Sequence, residues 1–262
     1  MANHTIYENK VLKDMFNDQL NTKLNTRSLM EVDSDLQANA GMKKVINVYS
    51  YTGAVEELAM GEKNTVTGKV SFAPVEYDVN TYQQTFSYYD EEFMTDPNVL
   101  DMGVRGASTV MVNDINKKFF AELEKATLTQ EYTADEFSYD VVVDAIAKMN
   151  TEDETNLYIV MGNDLKAQVR KDKDFVASKL SDILYTGQIG SISGLPVIYS
   201  KLVPADTAYI VEKGAIKNFI KKDSEIEKDR DIEIRKNTMV LRRVGLVALV
   251  DATKVIKVTP AL

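Results

Sequence analysis

The most constraining feature of the sequence is an apolar stripe at helical spacing that continues for about six turns. Thr95, Asp96 and Pro97 precede it, and a capping residue followed by proline is typical of a helix start. The pattern predicts a helix from Pro97 to Lys125, about 40 Å long. Globular helices average about 11–12 residues, so this helix is unusually long. The stripe consists of Leu100, Val104, Ala107, Met111, Ile115, Phe119 and Leu123.

The chain starts with a polar arm, which we assign to residues 1–43. Leu12, Phe16 and Leu20 recur every four residues and allow a short amphipathic helix. The stretch 25–41 shows little periodicity, so the arm cannot bury much surface against itself. We expect a surface outside the domain to hold it.

A long two-stranded ribbon is predicted after the arm. Its first stretch, Val45–Tyr51, is rich in β-branched and aromatic residues, and its second stretch, Val70–Val79, contains an apolar/polar alternation. The polar tip between them, Gly61–Gly68, is bounded by glycines. An isolated two-stranded ribbon is marginally stable in water, so this ribbon needs another surface to lie on.

Helices and strands alternate in the second half of the chain, which predicts an α+β fold with a small central sheet flanked by helices. We predict helices at Ser138–Asn150 and Leu165–Lys171. The predicted strands are Leu157–Met161, Pro196–Tyr199, Thr207–Val211, Asp229–Arg235, Thr238–Val250 and Val255–Val258.

The composition removes most common enzyme chemistry. There is no cysteine and a single histidine, His4, which excludes thiolate sites, Ser-His-Asp catalysis and multi-histidine metal sites. Lys plus Arg total 31 against 40 Asp plus Glu, a net charge of −9 that disfavours a dedicated nucleic-acid binder. The lysine-rich stretches, Lys166–Lys173 and Lys217–Lys228, contain acids and favour a salt-bridged face over DNA contact. No apolar run approaches the roughly 18 residues of a membrane span.

Two kinds of local cluster allow a functional interpretation, and in each the structural one is preferred. The acidic runs Asp90–Glu92 and Glu152–Glu154 either bind a hard cation or form solvated turns, and their spacing is not that of a calcium loop. Gly103 and Gly106 lack the spacing of a phosphate-binding loop and more simply allow a bend or a close crossing in the long helix. The sequence therefore predicts no catalytic residue, no cofactor and no metal site.

The order of these elements resembles the major capsid proteins of tailed phages, which have the HK97 fold. The closing segment R-R-V-G-L-V-A-L-V-D-A-T-K-V-I-K-V is the most telling local likeness. The resemblance implies five regions along nearly the whole chain. They are an N-terminal arm (1–43), an extended E-loop (44–82), a P domain with the spine helix at about 97–125 (83–136), an A domain (137–222) and the C-terminal strands of the P domain (223–262).

The resemblance implies a structural function without enzymatic activity. Copies would assemble as pentamers and hexamers into an icosahedral shell that encloses double-stranded DNA without sequence specificity. The expected location is the virion, after assembly in the bacterial host cytoplasm, with a portal and a separate scaffolding protein as partners and no membrane contact. Subunit contacts are expected at Leu12, Phe16 and Leu20 of the arm, Lys63 and Lys69 of the ribbon, and Asp229 and Arg230 near the C-terminus.

Two other functions remain open at this point. An encapsulin-like nanocompartment shell would share the fold but enclose protein cargo instead of DNA. A small α+β enzyme that uses carboxylates and Mg²⁺ would be a monomer or dimer with a concave acidic pocket. Some capsid proteins also link an E-loop lysine to an asparagine of the next subunit, but no local pattern fixes Lys63, Lys69 or Asn237 in that role.

Overall fold

The computed structural model describes residues 26, 28–38, 40–133, 137–151, 153–171 and 190–261. The predicted arm contacts Leu12, Phe16 and Leu20 lie outside the described residues. The helices are α1 (Asp90–Thr95), α2 (Val99–Leu123), α3 (Tyr139–Met149) and α4 (Asn163–Lys171). The strands are β1 (Met30–Asp33), β2 (Lys43–Thr52), β3 (Lys69–Asp78), β4 (Asn80–Tyr89), β5 (Leu128–Tyr132), β6 (Leu157–Met161), β7 (Ser191–Ile192), β8 (Leu195–Tyr199), β9 (Ala208–Glu212), β10 (Ile216–Asp231), β11 (Lys236–Leu249) and β12 (Val255–Pro260).

A six-stranded mixed sheet forms one core among the described residues, in the order β5-β12-β9-β6-β8-β7. Successive side chains of a strand point to opposite faces, and both faces of this sheet are covered. On β6, Ile159 packs with the cluster under α3 and α4, whereas Val160 packs with the cluster under α2. The sheet is therefore a central layer between helices, which explains its nearly continuous apolar strands.

A four-stranded sheet with the order β1-β10-β11-β4 forms a second, elongated body in the part of the chain that the structure describes. Its centre is the long antiparallel pair β10–β11, whose strands have 16 and 14 residues. The register of β10 shifts between Ile220 and Glu225, opposite Val244 and Gly245. A Cβ at Gly245 would overlap the Phe219 carbonyl oxygen, so glycine permits this close approach.

Helix α2 joins the two cores. It has 25 residues and spans about 38 Å. Val104 and Met111 in its first half pack on the four-stranded sheet, and Phe119 and Leu123 in its second half pack on the six-stranded sheet. A Cβ at Gly103 would overlap the Phe86 ring of β4, so this glycine allows the close crossing that the sequence predicted.

A two-stranded hairpin, β2–β3, extends from this body. All ten residues of each strand are paired, from Lys43 opposite Asp78 to Thr52 opposite Lys69. Its base packs on the subunit, where Ile46 joins a buried cluster that also contains Leu36. The hairpin thus matches the predicted ribbon.

The long helix α2 begins later than predicted. The sequence placed its start at Pro97, but α1 ends at Thr95 and α2 begins at Val99. Asp96 is extended, since a residue before proline is disfavoured in helical geometry. Its carboxylate accepts hydrogen bonds from the backbone and side chain of Asn98, both at 3.0 Å, which stabilises a turn between the helices.

The predicted strand Asp229–Arg235 is wrong in its second half, because β10 ends at Asp231. The Asp231 carboxylate accepts from the amides of Glu233 at 3.0 Å and Ile234 at 3.4 Å, closing a turn that ends with Arg235 at φ 53°. The boundary proposed between residues 222 and 223 falls inside β10, a strand that the sequence analysis did not predict across Lys217–Lys228. The acidic run Asp90–Glu92 is the first turn of α1 and not a solvated turn before a helix.

Candidate assembly surfaces

One face of the projecting hairpin carries apolar side chains that are exposed and that no described residue of the subunit covers. The register places Tyr49, Tyr51, Val70 and Phe72 on the same face, since directly paired residues of antiparallel strands share a side. Tyr49 is 66% exposed and Phe72 65%, with ring centroids 6.2 Å apart. A contiguous exposed apolar patch of this kind usually marks an interaction site.

Tyr51 forms the neck of the hairpin, where the paired strands give way to the tip. Its ring lies against the backbone at Gly53 and Gly68, and a Cβ at Gly53 would approach the Tyr51 hydroxyl to 2.6 Å. Side chains larger than hydrogen therefore do not fit beside the ring without rearrangement. This packing gives the exposed Tyr51 a defined position at the end of the apolar face.

The hairpin tip is ordered by its own hydrogen bonds. The Glu56 carboxylate accepts from the Thr65 amide at 2.7 Å, the Thr65 hydroxyl at 2.9 Å and the Val66 amide at 3.3 Å. The backbone hydrogen bond from Thr65 is the main reason that the pKa of Glu56 lies below its ordinary value. Lys63 is exposed at this tip and Lys69 is exposed at the start of β3, so both predicted contact residues are accessible.

The base of the hairpin is fixed to helix α2 and to the end of β11. The Tyr77 hydroxyl donates to the Leu249 carbonyl at 3.1 Å, and the Leu249 amide donates to Glu122 Oε2 at 3.2 Å. Glu122 also pairs with Lys125, whose ammonium lies 5.4 Å from the Tyr77 ring centroid. Burial, and to a lesser extent Glu122, raises the pKa of the Tyr77 phenol. The direction of the hairpin is thus set by contacts that involve three elements.

A second projecting end is formed by α1 and the β10–β11 turn. Asp90 accepts from the Arg230 guanidinium at 2.6 Å and from the Asn237 amide at 2.5 Å, and these bonds, the first above all, lower the pKa of the Asp90 carboxyl. Arg230 is therefore paired within its own subunit. Asp229 is exposed beside it on β10, and Ile232 in the turn is also exposed. Asn237 is buried, a position that sequence reasoning did not anticipate.

The described residues contain neither a candidate metal site nor a candidate membrane-spanning helix. Within the described ranges, no group of three or more His, Cys, Asp or Glu residues is placed to hold a metal ion. In those same ranges, no helix is both long and apolar enough to cross a membrane.

The sequence matches a protein-family model described as "Phage capsid protein" over residues 73–258, well over half of the chain. The chain belongs to this phage capsid protein family. A curated relative, the major capsid protein of Staphylococcus phage phiMR11, is 26% identical over 257 residues, which cover 95% of this chain and 92% of the relative. The predicted resemblance to a phage major capsid protein is confirmed by these matches.

Solved capsids share the fold at low sequence identity. The capsid of a native GTA particle aligns with a TM-score of 0.72 at 12% identity, covering 91% of this chain and 90% of that chain. The capsid of cyanophage P-SCSP1u aligns with a TM-score of 0.71 at 11% identity, covering 89% and 86%. The protein is thus a structural component of a phage capsid with a mixed α+β fold, and the capsid function is supported over the enzyme and nanocompartment alternatives.

Proposed function

We propose that this capsid protein is the repeating subunit of an icosahedral shell, assembled as pentamers and hexamers around double-stranded DNA. The observation that carries the proposal is the hairpin β2–β3, whose apolar outer face remains in water in the isolated subunit. An isolated two-stranded hairpin gains little stability alone. A neighbouring copy that covers this face removes apolar surface from water and makes the hairpin a permanent contact.

The surface that receives the hairpin is, in this proposal, the spine helix α2 and the sheet beside it. Met102 and Val110 are exposed on α2, and β4 is an edge strand of the four-stranded sheet. A hairpin of one copy on the helix of the next is a heterologous contact, which generates closed rings when its rotation closes. Pentamers and hexamers are rings of this kind.

The regions implied by the HK97 resemblance fit the described elements. The E-loop (44–82) corresponds to β2–β3, the spine helix to α2, and the A domain (137–222) contains α3, α4 and most of the six-stranded sheet. The P domain combines α2 with β4, β10 and β11. The arm (1–43) contributes β1, which pairs in parallel with β10 and joins the arm to the body.

The charge of the subunit suits a container. A net charge of −9 opposes tight binding of phosphates, so DNA is enclosed without sequence-specific contacts and is free to leave. Assembly in the bacterial host cytoplasm, a portal and a separate scaffolding protein belong to the proposal as partners expected from the family resemblance. The proposed subunit contacts are Lys63, Lys69, Asp229 and Arg230. Arg230 contributes through the surface around it, which its ion pair with Asp90 holds in place.

Expression in bacteria followed by negative-stain electron microscopy and light scattering tests the proposal. We expect hollow particles of uniform diameter in place of a 29.4 kDa species. A protein that stays a monomer or dimer under all assembly conditions would contradict it. In phage-producing cells, nuclease digestion should leave DNA protected inside the particles, whereas particles that contain only cargo protein would support the encapsulin-like alternative.

A further inference from the structure

Arg243 is a buried cation that lacks an acidic partner in the described part of the chain. It lies on β11, is 5% exposed, and donates from one guanidinium nitrogen to Asn218 Oδ1 at 2.9 Å. No carboxylate oxygen of a described residue lies within 4.0 Å of its guanidinium nitrogens. Burial lowers the pKa of Arg243, although Asp223 and Tyr82 oppose this through space. Buried arginines are nearly always paired, so this charge destabilises the isolated subunit.

Arg243 lines a cleft of about 320 Å³ together with residues of α2 and β4. Asp114 and Lys118 on the rim pair with each other, and the Lys118 ammonium lies 3.7 Å from the Tyr82 ring centroid. Because the rim charges cancel, Arg243 supplies the uncompensated positive charge of the cleft. Among the described strands β4 pairs only with β11, so its other edge is free beside the cleft.

The hairpin tip has the opposite charge. Residues 53–68 contain three glutamates, Glu56, Glu57 and Glu62, against the single Lys63. Glu56 is held by hydrogen bonds within the tip. Glu57 and Glu62 are exposed, and Glu62 accepts only a 3.3 Å hydrogen bond from a tip amide among the described contacts. The tip therefore offers two carboxylates at the far end of the apolar hairpin face.

We propose that the acidic hairpin tip of a neighbouring copy enters this cleft and places a carboxylate of Glu57 or Glu62 on Arg243. The inference rests on the proposed function, since it needs a second copy of the chain as the occupant. A carboxylate accepts two parallel hydrogen bonds from a guanidinium, and the pair is stronger where water is excluded. Because each copy provides one tip and one cleft, the pairing repeats around a ring and aligns every hairpin in the same register.

Four variants test the pairing by the critical concentration for assembly, measured by light scattering. They are E57Q/E62Q, R243M, the triple variant, and a control, E131Q/E154Q, which removes two exposed carboxylates elsewhere. We expect E57Q/E62Q and R243M each to raise the critical concentration at least tenfold, and the control to stay within twofold of wild type. The critical concentration of the triple variant should not exceed that of R243M, because R243M alone already removes the proposed contact.

The isolated R243M subunit should unfold at a denaturant concentration no lower than wild type, because methionine replaces an unpaired buried charge. A wild-type critical concentration for E57Q/E62Q would overturn the proposal. Additive increases of the critical concentration in the triple variant would also overturn it. The E57Q/E62Q variant leaves the surroundings of Arg243 unchanged, so it tests the pairing even if R243M does not fold. Failure of the proposed function has a different signature, since wild-type protein would then form no particles.

Discussion

Replacing Phe72 with serine removes the most central ring of the hairpin's apolar face. A phenylalanine buries about 150–250 Å² when fully covered, and Phe72 is 65% exposed in the subunit. About 100–160 Å² therefore remains to be covered by a neighbour, which at ~25 cal/mol per Å² is about 2.5–4 kcal/mol per contact. Within the subunit, the lost pairing with Tyr49 contributes only about 0.2–1 kcal/mol.

The F72S variant should therefore fold normally and assemble poorly. A loss of about 2.5–4 kcal/mol raises the critical concentration for assembly by about two to three orders of magnitude. Light scattering over a dilution series measures this concentration, and urea unfolding of the dispersed subunit measures stability. Y139S is the matched control, because it removes an exposed aromatic residue from α3. Assembly of F72S at the wild-type concentration would refute burial of this face between copies.

Three further predictions concern the subunit itself. Tyr209→Phe should raise the unfolding free energy by about 1 kcal/mol, because the buried hydroxyl has no hydrogen-bond partner among the described residues. Burial raises the pKa of Tyr209 from 10.0 to about 12, so the unfolded chain loses the phenol proton at lower pH than the folded protein. Relative to Y209F, the unfolding free energy of wild type should therefore fall by about 1.4 kcal/mol per pH unit between pH 10 and 12. Parallel profiles of unfolding free energy against pH for the two proteins would contradict this. Gly103→Ala should lower stability by about 1–3 kcal/mol, because the new Cβ would overlap Phe86. Gly106→Ala should raise stability by up to ~1 kcal/mol, because a Cβ there meets no atom within 4 Å and alanine favours the helix. Thermal melts measure both variants, and equal shifts would count against the close crossing at Gly103. The pKa of Asp90 is lowered from 3.8, so the stabilisation by its bonds is complete above pH 3.8 and is lost as the pH falls through the lower pKa of the folded protein. Wild type and D90N should therefore differ in unfolding free energy at neutral pH and converge in acid. A difference that stays constant with pH would be inconsistent with this role.

The sequence predicted elements whose pattern comes from burial within the subunit. The stripe from Val104 to Leu123 identified α2, because a 3.6-residue period is produced by packing one helix face on a core. The short, continuously apolar runs of β6 and β9 likewise predicted these two strands within a residue or two. The hairpin was predicted from β-branched and aromatic content, although its apolar residues are mostly exposed.

Elements governed by charge or local capping were not predicted correctly. Strand β10 was missed across Lys217–Lys228 because its charged residues hide the alternation on the other face. The capping pattern at Pro97 predicts a helix start, but in the structure Pro97 keeps Asp96 extended, and this separates two helices. For the assembly surfaces, the sequence nominated Lys63 and Lys69 by position. Arg243 was not nominated, because its isolation depends on which residues surround it in three dimensions.

A cryo-electron microscopy map of the assembled particle would show what covers each hairpin and so decide whether its apolar face is buried between copies. Such burial predicts that Tyr49 and Phe72 of every copy contact a neighbouring subunit, with the hairpin tip at the cleft between that subunit's α2 and β4. A map in which these rings face solvent, or in which each hairpin folds back on its own body, would contradict it.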